Sequence, residues 1–225
     1  MTAHVNPHAP GQAEWDARYQ EQSQLWSGEP NGALLAETEH LTPGRVLDVG
    51  CGEGADAIWL AQHGWNVTGL EVSQVALDRA AERADEAGVQ IDWVHSGLVE
   101  AGLHAQFDLV SAMYPALPSA AGDAAVKALL DAVAPGGTLL FVHHAHEHSA
   151  ERGHGHGHVH EHADQHEENT RRFNPDDFVS VQQVRAGLGA GWQIEVDELR
   201  ERAVPEGGAG AQHRHDEVLR AVKLK

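Results

Sequence analysis

Residues 45–73, RVLDVGCGEGADAIWLAQHGWNVTGLEVS, limit what this chain can fold into more than any other stretch. Val46, Leu47 and Val49 form an apolar, β-prone run that Gly50, Cys51, Gly52, Glu53 and Gly54 interrupt. Residues 55–62 have helix-forming composition, and Gly64 closes that helix. A second apolar run, residues 65–70, ends at Glu71. The order is strand, glycine turn, helix, strand: one βαβ unit with an acid at the tip of its second strand.

Each residue type in this unit has a chemical use. Glycines permit a tight turn and let the backbone approach a ligand, and a helix amino terminus offers unpaired N–H groups. A carboxylate at the strand tip can accept two ribose hydroxyls. To this point a dinucleotide-binding unit fits equally well. The glycines, however, are spaced G-x-G-x-G rather than G-x-G-x-x-G, and Asp48 stands two residues before the first of them. Beside a pyrophosphate an anionic Asp48 is repulsive; beside an ammonium or sulfonium it is attractive. The loop therefore suits a cationic nucleoside, and a nicotinamide oxidoreductase is disfavoured.

Asp48-Val-Gly50-Cys-Gly52-Glu-Gly54 followed by Glu71 resembles the cofactor site of class I S-adenosylmethionine-dependent methyltransferases. Phe107-Asp-Leu-Val110 resembles that family's fourth strand, and Ala134-Pro-Gly-Gly-Thr-Leu139 its turn into the fifth. The resemblance implies an α/β fold: a Rossmann-like, seven-stranded, mostly parallel sheet of order 3-2-1-4-5-7-6, with helices on both faces and a closing antiparallel hairpin. It implies S-adenosylmethionine as methyl donor and S-adenosylhomocysteine as product. By it, Asp48 and Gly50 face the methionine end, Gly52 lines the loop and Glu71 holds the ribose, with Cys51, Gly54, Val72, Ser96, Gly97, Leu98, Ser111 and Trp26 completing the cofactor set. Cys51 reads as a small packing residue rather than a nucleophile. After its third strand the family commonly carries an acid that meets the adenine amino group. Here Gly97 stands in that place, and Ser96 or backbone groups would have to substitute.

Residues 11–40 resemble the amino-terminal lid of bacterial small-molecule methyltransferases of the tellurite-resistance and thiopurine group, with Trp15, Arg18, Tyr19, Trp26, Pro30 and Asn31 matching. Trp15 and Tyr19, four apart on a helix over residues 12–22, equally suit plain packing onto the sheet. Asn31 is placed to cap a helix over residues 32–40, and Ser73 one that reaches Ala87 and stops at Gly88. Strands are expected over residues 91–95 and 107–113, then a helix over 119–133 and a strand over 138–142. Asn174-Pro175-Asp176-Asp177 reads as the start of a helix to Leu188, and residues 192–200 and 216–224 as the hairpin.

At 225 residues with 41% hydrophobic content, the chain fits one domain over 1–225, led by a disordered segment over 1–10. A formal net charge of −19 with fifteen basic residues argues against nucleic acid or an anionic membrane as partner and leaves a small-molecule acceptor. One cysteine, no long apolar run and no export signal point to the cytoplasm.

The least ordinary stretch is a histidine-rich insertion over residues 144–170, in which His-Gly alternation suggests a mobile loop. His146, His148, His154, His156, His158, His160 and His162 are candidate ligands for Zn²⁺ or Ni²⁺, although no spacing selects one tetrahedral site. A metal-binding protein on a methyltransferase scaffold is thus the alternative to an enzyme. For the enzyme, a soft thiol or metalloid acceptor is favoured, since it needs no base. An alcohol or amine would need one, for which Tyr114, His143 and His144 are the candidates.

Overall fold

The computed structural model describes residues 11–145 apart from 104 and 122, together with residues 175–202 and 213–225. Seven strands form one sheet: β1 (Arg45–Val49), β2 (Asn66–Glu71), β3 (Asp92–His95), β4 (Phe107–Met113), β5 (Val133–His144), β6 (Trp192–Glu201) and β7 (His215–Lys223). Their order is β3-β2-β1-β4-β5-β7-β6, as expected. The first five run parallel, β7 runs antiparallel to β5, and β6 runs antiparallel to β7.

Near-continuous apolar runs make the central strands buried on both faces, and the period of two divides them. Leu47, Val49, Val110, Ala112, Leu139, Phe141 and Leu219 point to one face. There they meet Ala125, Val126 and Leu129 of α5 (Asp123–Ala132) and Val181 and Val184 of α6 (Val181–Gly187). Val46, Leu109, Leu140, Val142 and Val218 point the other way, against Ala33 and Leu34 of α2 (Gly32–Thr38) and Ala57 and Leu60 of α3 (Ala55–Gln62). A third cluster joins Trp15 and Tyr19 of α1 (Gln12–Gln20) to Ala76 of α4 (Gln74–Ala87). On the α2 face, buried Glu37 accepts from Arg200 Nη2 at 2.6 Å and pairs with Arg220 Nη1 at 3.0 Å, tying that helix to the hairpin.

Several boundaries differ from expectation. α4 is as read: Ser73 Oγ accepts from Ala76 N, and Gly88 caps the end in the left-handed region at φ 69°. The helix expected over 174–188 is instead a 3₁₀ turn, Pro175–Asp177, and then α6. Ser180 and Gln183 form a reciprocal capping box there, a stronger start signal than the acidic turn before it. The intervening chain is drawn into extended pairing, with Val179 N donating to Leu117 O at 2.8 Å. The helix expected over 119–133 likewise splits into a 3₁₀ turn, Ser119–Ala121, and α5. β5 starts earlier than expected, at Val133, with a register shift opposite Phe107 and Leu109 where Ala134–Gly137 turns.

The expected leader over 1–10, the linker over 203–212 and residues 146–174, with all seven candidate metal-binding histidines, lie outside the described residues. Among the described residues no helix is long and apolar enough to cross a membrane.

Candidate active site

The glycine loop hangs from β2. Gly50 N and Cys51 N both donate to Leu70 O, at 2.8 and 3.1 Å, which turns the chain sharply at the tip of β1. Gly50, Gly52 and Gly54 have φ of 72°, 52° and 84°, a region that strains any residue with a Cβ. At Gly54 space is also short, because a Cβ would stand 2.9 Å from that of Ala80 on α4.

Carboxylates crowd this loop. Glu71 Oε2 accepts from Gly52 N at 3.0 Å, and Oε1 accepts from Val72 N at 2.9 Å and Ser73 N at 3.0 Å, so one side chain joins the loop to the strand tip. Burial raises the pKa of Glu71 despite these three donors. Asp48 is buried, and its Oδ2 has no hydrogen-bond partner among the described residues. Burial pushes its pKa well above the ordinary carboxylate range, and the charges of Asp56 and Glu71 push it further. Opposite Asp48 in register is Ser111, fully buried, whose Oγ also lacks a partner among the described residues. Three buried acids and two orphaned polar atoms, brought by β1, β2, β4 and α3 around one loop, make a cradle suited to a cationic ligand.

Acids beside the loop also hold the amino-terminal segment. Glu53, 2% exposed, accepts from Leu25 N at 3.1 Å and Trp26 N at 3.2 Å and pairs with Arg79 Nη1 at 2.9 Å. Arg79 Nη2 in turn donates to Tyr19 O and Gln22 O, at 2.7 and 2.8 Å. Asn31 does not cap α2 with its side chain, contrary to expectation. Its N and Nδ2 both donate to Asp56, each at 2.7 Å, because the buried carboxylate needs donors more than the helix end does. Tyr19 and Trp26 reach the cofactor loop: Trp26 Nε1 donates to Tyr19 Oη at 2.9 Å, and that hydroxyl would stand 3.0 Å from a Cβ at Gly52. Trp15 and Arg18 stay farther out, with the guanidinium 5.7 Å from the Trp15 ring centre, and Pro30 is half-buried. Glu53 and Arg79 carried no sequence signal beyond an acid among glycines.

At the tip of β3, Ser96 Oγ donates to Gly97 O at 3.1 Å, so its hydroxyl serves the turn. The Glu100 carboxylate lies over Gly97, in the space a side chain there would take, and an acid missing from the expected position is supplied three residues on. Leu98 is buried in the core, and Val72 packs against the cluster of Trp15, Tyr19, Leu25 and Ala76.

A second group of side chains gathers where β4, β5 and β7 end. Tyr114, directly after β4, has φ 50°, the one positive φ outside glycine among the described residues. Its N donates to Val142 O at 2.8 Å, and its Oη donates to Asp216 Oδ2 at 2.7 Å. The Tyr114 ring stacks on His144 with centroids 4.2 Å apart, and His144 stacks on His213 at 4.1 Å. Arg202 lies over the Tyr114 ring at 4.9 Å, and His144 Nδ1 is 3.5 Å from Asp216 Oδ1. Burial and then the Asp216 charge raise the pKa of the Tyr114 phenol, which keeps it protonated. This group adjoins the glycine loop through Pro115, whose Cα would be 3.8 Å from a Cβ at Gly50. His143 takes the opposite face of β5, its ring 6.4 Å from that of Phe141, so of the three base candidates only Tyr114 and His144 come together.

Residues 46–137 match the family described as "Methyltransferase domain". The ubiquinone biosynthesis O-methyltransferase of Escherichia coli is 38% identical over 99 residues, 43% of this chain and 41% of that enzyme. The likeness in sequence to methyltransferases thus runs from β1 to the turn within β5. The chain spans less than half the length of the curated relatives it matches. Its fold is similar, with a TM-score of 0.71 and 26% identity over 95% of this chain and 92% of the other, to a structure described as "Conversion of a Disulfide Bond into a Thioacetal Group during Echinomycin Biosynthesis". TehB from Haemophilus influenzae shares the fold at TM-score 0.56 and 14% identity, over 95% of this chain and 67% of that one. Among the described residues, no group of three or more His, Cys, Asp or Glu side chains could hold a metal ion.

Proposed function

We propose that this protein transfers a methyl group from S-adenosylmethionine to a small-molecule acceptor. The carrying observation is the orphaned, buried Asp48 carboxylate in a glycine loop whose neighbours are also acids. An unpaired buried charge is costly, and a ligand bearing an ammonium and a sulfonium offsets that cost where a dinucleotide pyrophosphate would add to it. The residues fit the donor: Asp48, Gly50 and Ser111 at its methionine end, Glu71 at the ribose, Glu100 with Ser96 and Gly97 at the base, and Tyr19 and Trp26 over the loop. Bound there, the donor supplies an electrophilic methyl on sulfur. The chain's own residues orient an acceptor in line with it and exclude water.

Sulfur and oxygen acceptors each find support among the similar proteins, one from the disulfide-to-thioacetal structure and one from the O-methyltransferase. The sequence preference for a soft thiol or metalloid acceptor enters the reading as the class to assay first.

Calorimetric titration of the purified protein tests the reading. Saturable one-to-one binding of S-adenosylhomocysteine is expected, with none of a nicotinamide dinucleotide. A flat titration with S-adenosylhomocysteine would sink it.

A further inference from the structure

We infer that Tyr114 and Asp216 form a proton relay on the acceptor side, serving an acceptor that arrives protonated, a thiol or a hydroxyl, rather than a metalloid oxyanion. The inference rests on the methyl-transfer reading above. Three observations lead to it. Tyr114 is held at φ 50°, a strained conformation for a non-glycine residue that persists where surrounding contacts impose it. Those contacts are Val142 O on its N–H and Asp216 on its hydroxyl. Asp216 is itself 3% exposed, and its second oxygen, Oδ1, has no hydrogen-bond partner among the described residues. Where β4, β5 and β7 end beside the glycine loop, this buried carboxylate keeps one oxygen on the phenol and the other 3.5 Å from His144 Nδ1, and so is placed to take the phenol's proton.

The chemistry balances without another reactant. As the acceptor's heteroatom forms its bond to the methyl carbon, the donor's carbon–sulfur bond breaks and its electron pair returns to sulfur. The acceptor's proton passes to Tyr114 Oη while the hydroxyl's own proton passes to Asp216. Phenolate never accumulates, in keeping with the raised pKa that burial and Asp216 impose on Tyr114. Tyr114 touches the acceptor and is the catalytic residue; Asp216 acts through it. Arg202, His144 and His213 surround the pair, and Arg202 Nε lies 4.0 Å from Asp216 Oδ2, near enough to ease the charge that moves there. An oxyanion acceptor has no proton to give and gains nothing from the arrangement.

The test compares wild type, Tyr114→Phe, Asp216→Asn and Asp216→Glu, using labelled S-adenosylmethionine with 2-mercaptoethanol, catechol and tellurite as acceptors. Wild type should methylate 2-mercaptoethanol or catechol, and Tyr114→Phe and Asp216→Asn should each lower kcat for that acceptor about a hundredfold or more. Asp216→Glu should restore part of the rate, and S-adenosylhomocysteine affinity should be the same in all four. A second readout needs no turnover. The chain has two tyrosines, Tyr19 and Tyr114, so Tyr19→Phe leaves one whose ionisation can be followed by ultraviolet absorbance. Adding Asp216→Asn should move that ionisation to lower pH. Unchanged ionisation, unchanged kcat in Tyr114→Phe, or a wild-type protein that binds S-adenosylhomocysteine yet methylates only tellurite or nothing would each overturn the relay. Absence of S-adenosylhomocysteine binding would instead remove the methyltransferase reading beneath it.

Discussion

The two halves of the sheet are built by different means. On the β3-β2-β1 side the ligand cradle closes over short chain separations: Gly52 and Glu71 are 19 residues apart, and their hydrogen bond forms within one βαβ unit. On the β4-β5-β7 side the defining contact, Tyr114 to Asp216, spans 102 residues and exists only because β7 enters the sheet antiparallel beside β5. The first half gathers backbone N–H groups and acids that a local motif specifies. The second half places side chains that have no motif at all. On the proposed reading, donor recognition is therefore the locally encoded property, and acceptor chemistry depends on how the carboxy-terminal hairpin docks.

That contrast can be broken by showing that the halves are not separable. Glu71→Ala removes the acceptor of three N–H donors and the proposed ribose contact, and should weaken S-adenosylhomocysteine binding about a hundredfold by calorimetry. Asp216→Asn should change the same affinity by less than about twofold, an effect below 0.5 kcal/mol on the scale of tenfold per 1.4 kcal/mol. A large loss in Asp216→Asn would mean that the acceptor half shapes the donor site.

A smaller effect sharpens the role of the amino-terminal segment. Arg79→Ala leaves Glu53 buried without its cation and frees the Tyr19 and Gln22 carbonyls. Stability should fall by about 2 kcal/mol, less than the loss of a fully buried pair because Arg79 is 22% exposed. Hydrogen exchange should quicken over residues 12–31 before it does in β1 or β4. Uniform quickening would show that the segment is part of the core rather than a cover on the donor site.

Asp48→Asn should act in two directions. Its raised pKa means that ionised Asp48 weakens the ligand-free fold: the folded state holds the proton more tightly than the unfolded chain, so stability is lost as pH rises through the folded-state value. At neutral pH the neutral asparagine should raise Tm by about 2–4 °C while donor affinity falls, and the Tm gain should vanish in acid, where Asp48 is protonated. An unchanged Tm would mean that the pKa of Asp48 is not raised in the free protein. At the far edge of the sheet, Leu199 on β6 is 64% exposed, and Leu199→Thr should alter stability by no more than about 0.5 kcal/mol by denaturant titration.

Much of the donor side could be read from residues alone. G-x-G-x-G demands left-handed φ at three positions, and Asp48 among apolar neighbours demands burial of a charge. Ser73 and Gly88 mark both ends of α4, since a cap is a contact between residues three or four apart. Sequence reasoning misplaced the helix before β6, where the capping box at Ser180 and Gln183 outweighed the proline and acids at 175–177. It also gave Asn31 to a helix end that could not compete with the buried Asp56 carboxylate.

Local chemistry in the sequence by itself determined the βαβ unit, the alternating two-faced strands and the acid-rich loop, because periodicity, glycine conformation and capping act over a few residues. Only the tertiary structure decided that Glu53 and Arg79 grip the amino-terminal turn, that Glu100 fills the space over Gly97, and that Tyr114, His144 and Asp216 meet while His143 turns away. Those contacts depend on strand register and sheet order. A one-residue slip of β7 would send Asp216 to the other face and leave Tyr114 without its partner, and no short stretch of sequence carries that information.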